Sequence, residues 1–229
     1  KGHSLINIKN SLEIVSEFSG QVLVLKNTED VIKEDLSRSQ HNNLFIDHYQ
    51  TAGFHDFCHR VKEASEGNSY FIRQLMEKSE LASLEMEKKK AYASLVLKGI
   101  EQFSKELDQE FVKVLRSKKP WTSSEYDYIW RTVIELCRLL FEKHNEVPNK
   151  NTFIRHYIFR YVLACYLLAL KWISDGGWHN YPQEDMRNDL IDMSYVAYAT
   201  YFDGVLSKDN KINDLYKKSN DFIGKLRKI

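Results

Sequence analysis

Breakers are scarce in this chain. Three prolines and nine glycines in 229 residues exclude collagen-like, Pro/Gly-rich and disordered organisation and point to long helices. Cysteine is scarce too: Cys58, Cys137 and Cys165 are odd in number and widely spaced, which argues against a disulfide framework and for a reducing, cytoplasmic setting. An excess of one charge is missing, since 33 basic side chains face 32 acidic ones for a net charge of +1. No global electrostatic footprint for nucleic acid or an anionic membrane follows, so any nucleic-acid surface must be a local patch. The longest apolar run, Tyr161 to Leu170, is ten residues, against the roughly 20 that a bilayer needs. It reads as a buried helix, and no membrane partner is expected. No signal-peptide pattern stands at the start.

What is present is a 43% hydrophobic, 28% charged sequence with strong helical periodicity. Residues 5–18 place Leu5, Ile8, Leu12, Ile14, Val15 and Phe18 at helical spacing, with Gly20 as a stop. Val22 to Leu25 reads as a short buried strand. Residues 28–37 read as a helix with Thr28 as N-cap and Glu29 and Asp30 in its first turn. A second candidate strand, Leu44 to Ile46, ends in Asp47. From Phe71 to about Arg116 the sequence is almost free of breakers and highly charged, which predicts one or two long solvent-facing helices.

Thr122-Ser-Ser-Glu125 reads as a capping box opening the next helix. After a turn at Pro148-Asn-Lys150, residues 152–173 form the most hydrophobic helix, the expected centre of the core, ended by Gly176-Gly177. Pro182 precedes a helix over 184–201. Gly204-Val-Leu206 is a minimal strand, and residues 210–226 close the chain as an amphipathic helix. The organisation expected is one domain over 1–229, with 68–150 as a helical insertion or arm.

The acids of the C-terminal segment carry the chemistry. Asp189 and Asp192 are three apart and share a helix face. Ser207 and Asp209 follow the Gly204–Leu206 strand, and sites in parallel α/β sheets form at the carboxyl ends of strands. Carboxylates gathered in one place repel one another unless a cation neutralises them, and hard ions such as Mg²⁺ or Mn²⁺ prefer oxygen ligands.

The run from Arg187 to Asp209, RNDLIDMSYVAYATYFDGVLSKD, resembles the end of a PIN-like domain: an acid on a helix, small alanines, a partly buried strand and a terminal aspartate. Asp192 matches the helix acid, Asp209 the terminal acid, Ser207 the residue type usual before it, and Asp189 is a neighbour able to substitute for Asp192. The resemblance implies an α/β fold, strongly α-rich, with a small parallel sheet flanked by helices. It implies a metal-dependent nuclease, an endoribonuclease acting on RNA, in which carboxylates hold Mg²⁺ or Mn²⁺ and activate water against a phosphodiester. Asp192, Asp209, Asp189 and Glu34 would be the catalytic acids, and Asp192, Asp209 and Glu34 the metal ligands.

Two placements of the remaining acids stay open. Val22 to Glu34 is similar to the family's second strand and acid-bearing helix, which makes Glu34 the second acid and puts the first strand, with its aspartate, before Lys1. Alternatively, Leu44 to Asp47 is the first strand and acid. On the nuclease reading the helical middle is a specificity or oligomerisation element, and the partners expected are RNA, a protein partner or inhibitor, and other copies of the chain. The runner-up function is a non-catalytic PIN-like scaffold or helical interaction protein whose long helices bind a partner.

Blander readings stand beside these. Asp189 and Asp192 can simply favour the helix dipole, and Asp209 can simply cap the last helix. His55, Cys58 and His59 are geometrically able to hold zinc but have no evident fourth ligand.

Overall fold

The structure is a computed structural model that describes residues 10, 15–37, 45–117, 119–142, 150–176 and 181–226. A 3-10 turn at Ser19–Gln21 is followed, among the described residues, by α1 (Thr28–Ser37), α2 (His48–Ser65), α3 (Ser69–Glu106), α4 (Gln109–Ser117), α5 (Ser123–Glu142), α6 (Lys150–Phe153), α7 (Tyr157–Asp175), α8 (Gln183–Ala199) and α9 (Asn210–Leu226). The chain forms two compact units, one of residues 1–31 and 42–88, the other of 32–41 and 89–229. Both α1 and α3 therefore contribute residues to each.

In the first unit, Asn27 caps α1: its side-chain oxygen accepts from the Asp30 N–H at 2.9 Å and its carbonyl from Val31 at 3.1 Å. The cap is one residue earlier than the sequence suggests, because the asparagine oxygen reaches the third helical N–H. Asp47 caps α2 in the same way, accepting from the Gln50 N–H at 2.8 Å and the Gln50 side-chain amide at 2.9 Å. Cys58, Val61 and Ala64 form the buried stripe of α2.

The described residues do not contain the parallel sheet expected from the PIN-like resemblance. Among the described residues the protein is helical, without a strand, and its only bridge is an isolated antiparallel one between Leu25 and Ile46. The two segments read as strands do find each other: Lys26 donates to the Phe45 carbonyl and Asp47 to the Val24 carbonyl, both at 2.8 Å, and Val24 donates to the Thr51 hydroxyl. They stop at one bridge because a four-residue apolar run meets no third strand to cover it, and Leu23 stays exposed. Leu44, the start of the second candidate strand, and residues 5–9 and 11–14 of the first candidate helix lie outside the described residues.

Gly204-Val-Leu206 is also no strand. It is loop between α8 and α9, with Leu206 fully exposed and Gly204 at a φ of 152°, a conformation open to glycine. The α/β fold class and the PIN-like resemblance that required it are thus overturned by described residues that are helical and hold no strand.

The second unit is built around α7, which is apolar nearly all round, as a helix surrounded by others must be. It packs against α4, α5, α8 and α9. Aromatic pairs mark the contacts: Trp130 of α5 meets Phe159 at 5.6 Å, and Phe103, near the end of α3, meets Tyr166 at 5.4 Å. Tyr126 of α5 reaches Phe222 of α9 at 5.6 Å. Residues 68–150 carry α3, α4 and α5, of which α4 and α5 lie directly on the central helix.

Gly176 ends α7 in the left-handed conformation, φ 74°, with its N–H on the Trp172 carbonyl at 3.0 Å. Helix α7 is long and apolar enough to cross a membrane, yet most of it is buried inside this unit.

Candidate functional site

Three of the four sequence-derived acids come together. Asp189, at 3% exposure, lies on the inward side of α8. One of its oxygens pairs with the Lys211 ammonium of α9, and the other accepts from the Tyr181 hydroxyl at 2.9 Å. The Tyr181 phenol is pushed up to about 12, first by burial and then by the Asp189 carboxylate beside it. Asp192, one turn further along α8, is held above the ordinary carboxylate range mainly by burial. Lys211 opposes that shift, while Asp189 and Asp209 add to it. The carboxylates at 189, 192 and 209 therefore share one neighbourhood, and the cation among them is Lys211.

Asp209 sits at the mouth of α9 as its cap. Its side chain accepts from the Lys211 N–H at 2.7 Å and its carbonyl from the Asn213 N–H at 3.2 Å. Ser207 supports it, accepting from the Asp209 N–H at 3.1 Å while its own carbonyl accepts from the Asn213 side chain at 2.9 Å. Glu34 is half-buried on α1 and is not among the charges acting on Asp192. Asp47, the alternative first acid, is the α2 cap described above.

The donor set does not fit Mg²⁺ or Mn²⁺ as placed. Both Asp189 oxygens are engaged, and Asp209 turns one oxygen to its own helix. Among the described residues no group of three His, Cys, Asp or Glu side chains is arranged to hold a metal ion, His55, Cys58 and His59 included.

A second polar cluster went unread in the sequence. Asp35 of α1, 1% exposed, accepts from the Ile158 N–H at 3.0 Å and pairs with His156 Nδ1 at 3.0 Å. His156 is the N-cap of α7 but makes no side-chain cap bond itself. Asp35 does that work from another helix, placing a carboxylate at the positive end of the α7 dipole.

Two residues on, Arg160 is 4% exposed within an apolar helix. Its Nε donates to the Ile154 carbonyl at 3.2 Å, and its guanidinium donates to the Thr200 hydroxyl at 3.1 Å and to the Thr200 carbonyl. The guanidinium also lies 3.5 Å from the Tyr201 ring centroid, and the Tyr201 hydroxyl donates to the Arg155 carbonyl at 2.8 Å. Burial pushes the Tyr201 phenol well up, Arg160 opposing. The signal available was Arg160 itself, a charge on the inner face of the most hydrophobic helix, which requires partners wherever it is buried.

No protein-family profile matches this chain, and no curated protein or solved structure matches it either.

Tyr49 of α2, at 89%, is the most exposed large apolar side chain of the first unit, and three others share one face of α3. From Glu77 to Glu85 every residue is exposed, and Leu81 and Leu84 are 64% and 62% accessible, with Tyr70 at 54%. At 3.6 residues per turn these three fall within a sector of about 60° and span about 21 Å of helix.

Proposed function

We propose that this chain is a helical interaction protein in which the Ser69–Lys88 part of α3 presents a protein-binding stripe. The observation that carries the reading is the exposure of Leu81, Leu84 and Tyr70 on one face of a helix whose surroundings are otherwise charged. Burying a leucine is worth about 1.5–3 kcal/mol, a gain both leucines forgo in the isolated chain. Apolar side chains gathered on one exposed face mark binding sites where scattered single ones do not. Asp189 then serves to lock α8 to α9 through Lys211, with Tyr181 on its other oxygen, and Asp209 caps α9.

A second reading is a ribonuclease acting with Mg²⁺ or Mn²⁺ at Asp192 and Asp209. One observation favours it: the Asp192 carboxyl, raised first by burial, is raised further by Asp189 and Asp209, and a metal ion there would have to take the place that Lys211 now holds beside Asp189.

The test is photo-crosslinking in cells that express the chain, with a benzophenone amino acid at Leu84 and, as control, at Ser79 on the far side of α3. A protein adduct of discrete mass from position 84, absent from 79, is expected. Equal labelling from both positions, or no adduct from 84, sinks the interaction reading. RNA cleavage by the purified chain that requires Mg²⁺ or Mn²⁺ and disappears in Asp209→Asn would establish the second reading in its place.

A further inference from the structure

We infer that α3 pairs antiparallel with the α3 of a second copy of this chain, about a two-fold axis between residues 82 and 83. This rests on the interaction reading of α3 and names the partner. The stripe lies on a seam: Tyr70, the half-buried Gln74, Glu77, Leu81, Leu84 and Lys88 follow one another at alternating spacings of four and three residues. That is the repeat by which one helix lays a continuous line against another. Its centre is the two exposed leucines, with an acid one step before them and a lysine one step after.

The charges choose the direction. In a parallel, in-register pair Glu77 meets Glu77 and Lys88 meets Lys88, and like charges face each other at both ends of the leucine pair. Turning one helix round about 82/83 places Leu81 against Leu84 of the copy, twice, and Glu77 against Lys88 of the copy, twice. The apolar centre is then closed at each end by an ion pair, the arrangement that sets partner and orientation in helix pairs.

On one flank Lys78 also faces Glu85 of the copy, and Glu85 already holds Lys88 of its own chain at 2.6 Å. On the other flank Glu80 faces Glu87, which weakens the pair. With only two leucine layers, the contact falls below the roughly 800 Å² per partner of a standard stable interface. The dimer is therefore weak, and its ion pairs make it sensitive to salt.

Sedimentation velocity on the full chain, loaded between about 1 and 200 µM to bracket such an interface, tests the pairing. The wild type is expected to pass from monomer to dimer across that range. Glu77→Lys and Lys88→Glu should each raise the dissociation constant about tenfold or more, which corresponds to about 1.4 kcal/mol. The double variant carrying both should return to the wild-type value, a recovery that loss of helix stability would not produce; circular dichroism checks that each variant stays helical.

A wild type that is monomeric throughout, or a double variant no better than the singles, overturns the pairing. If Leu84 then still yields an adduct with a different protein in cells, the interaction reading stands with another partner. If it yields none, both fall together.

Discussion

Removing the Asp35 carboxylate takes an acceptor from two buried donors at once, the Ile158 N–H and the His156 ring. Taking the acceptor from a buried donor costs about 1–3 kcal/mol, so about 2–6 kcal/mol for the two. Asp35→Ala is therefore expected to lower the unfolding free energy by that amount in urea titrations. Asp35→Asn, which keeps one carbonyl oxygen for the helix N–H, should cost about 1–3 kcal/mol. Equal, small losses in both variants would show that the carboxylate does not cap α7.

Asp192 behaves with the opposite sign. Its carboxyl is held above the ordinary range mainly by burial, so the folded state keeps its proton longer than the unfolded one. Stability falls as pH rises from the unfolded value through the folded one, and stays reduced at neutral pH. Asp192→Asn should thus equal wild type at low pH, where both are neutral, and exceed it at pH 7. A variant less stable than wild type at pH 7 would mean that Asp192 gains more from Lys211 than it loses to burial and to Asp189 and Asp209.

At the scale of elements, several helices were legible and the strands were not; α2 went unread, and the helix expected over 152–173 is split into α6 and α7 by a turn at 154–156. The expected helices over 28–37, 184–201 and 210–226 match α1, α8 and α9 within two residues, and Gly176 ends the central helix as its position suggests. Helical periodicity over ten or more residues leaves little ambiguity.

A three- or four-residue apolar run offers no such redundancy. Val22–Leu25 and Gly204–Leu206 fit a strand, a buried loop or a bridge equally well, and only partners elsewhere in the chain decide. The same limit governed the site. Spacing put Asp189 and Asp192 on one helix face, but it could not show that Lys211 would be their counter-ion. Asp35 and His156 are 121 residues apart, so no local pattern joins them.

At the scale of the whole molecule, the second unit begins before the first is finished. Residues 32–41 belong to it, although residues 42–88 of the first unit intervene. That short segment brings Ile32 and Leu36 to the edge of the hydrophobic core and Asp35 to the start of α7. A fragment of residues 89–229 therefore lacks one wall of its core and the cap of its central helix. It should unfold at a clearly lower urea concentration than the second unit does in the full chain.

Restoring residues 28–41 ahead of it through a Gly/Ser linker of about 20 residues, which spans about 25 Å on average, should recover much of the loss. The same fusion carrying Asp35→Ala should recover far less, because it supplies the apolar contacts without the carboxylate that α7 requires. If the bare fragment is already as stable as the fusion, the segment only decorates a unit that folds without it, and the buried Asp35–His156 pair is a consequence of the fold and not one of its supports.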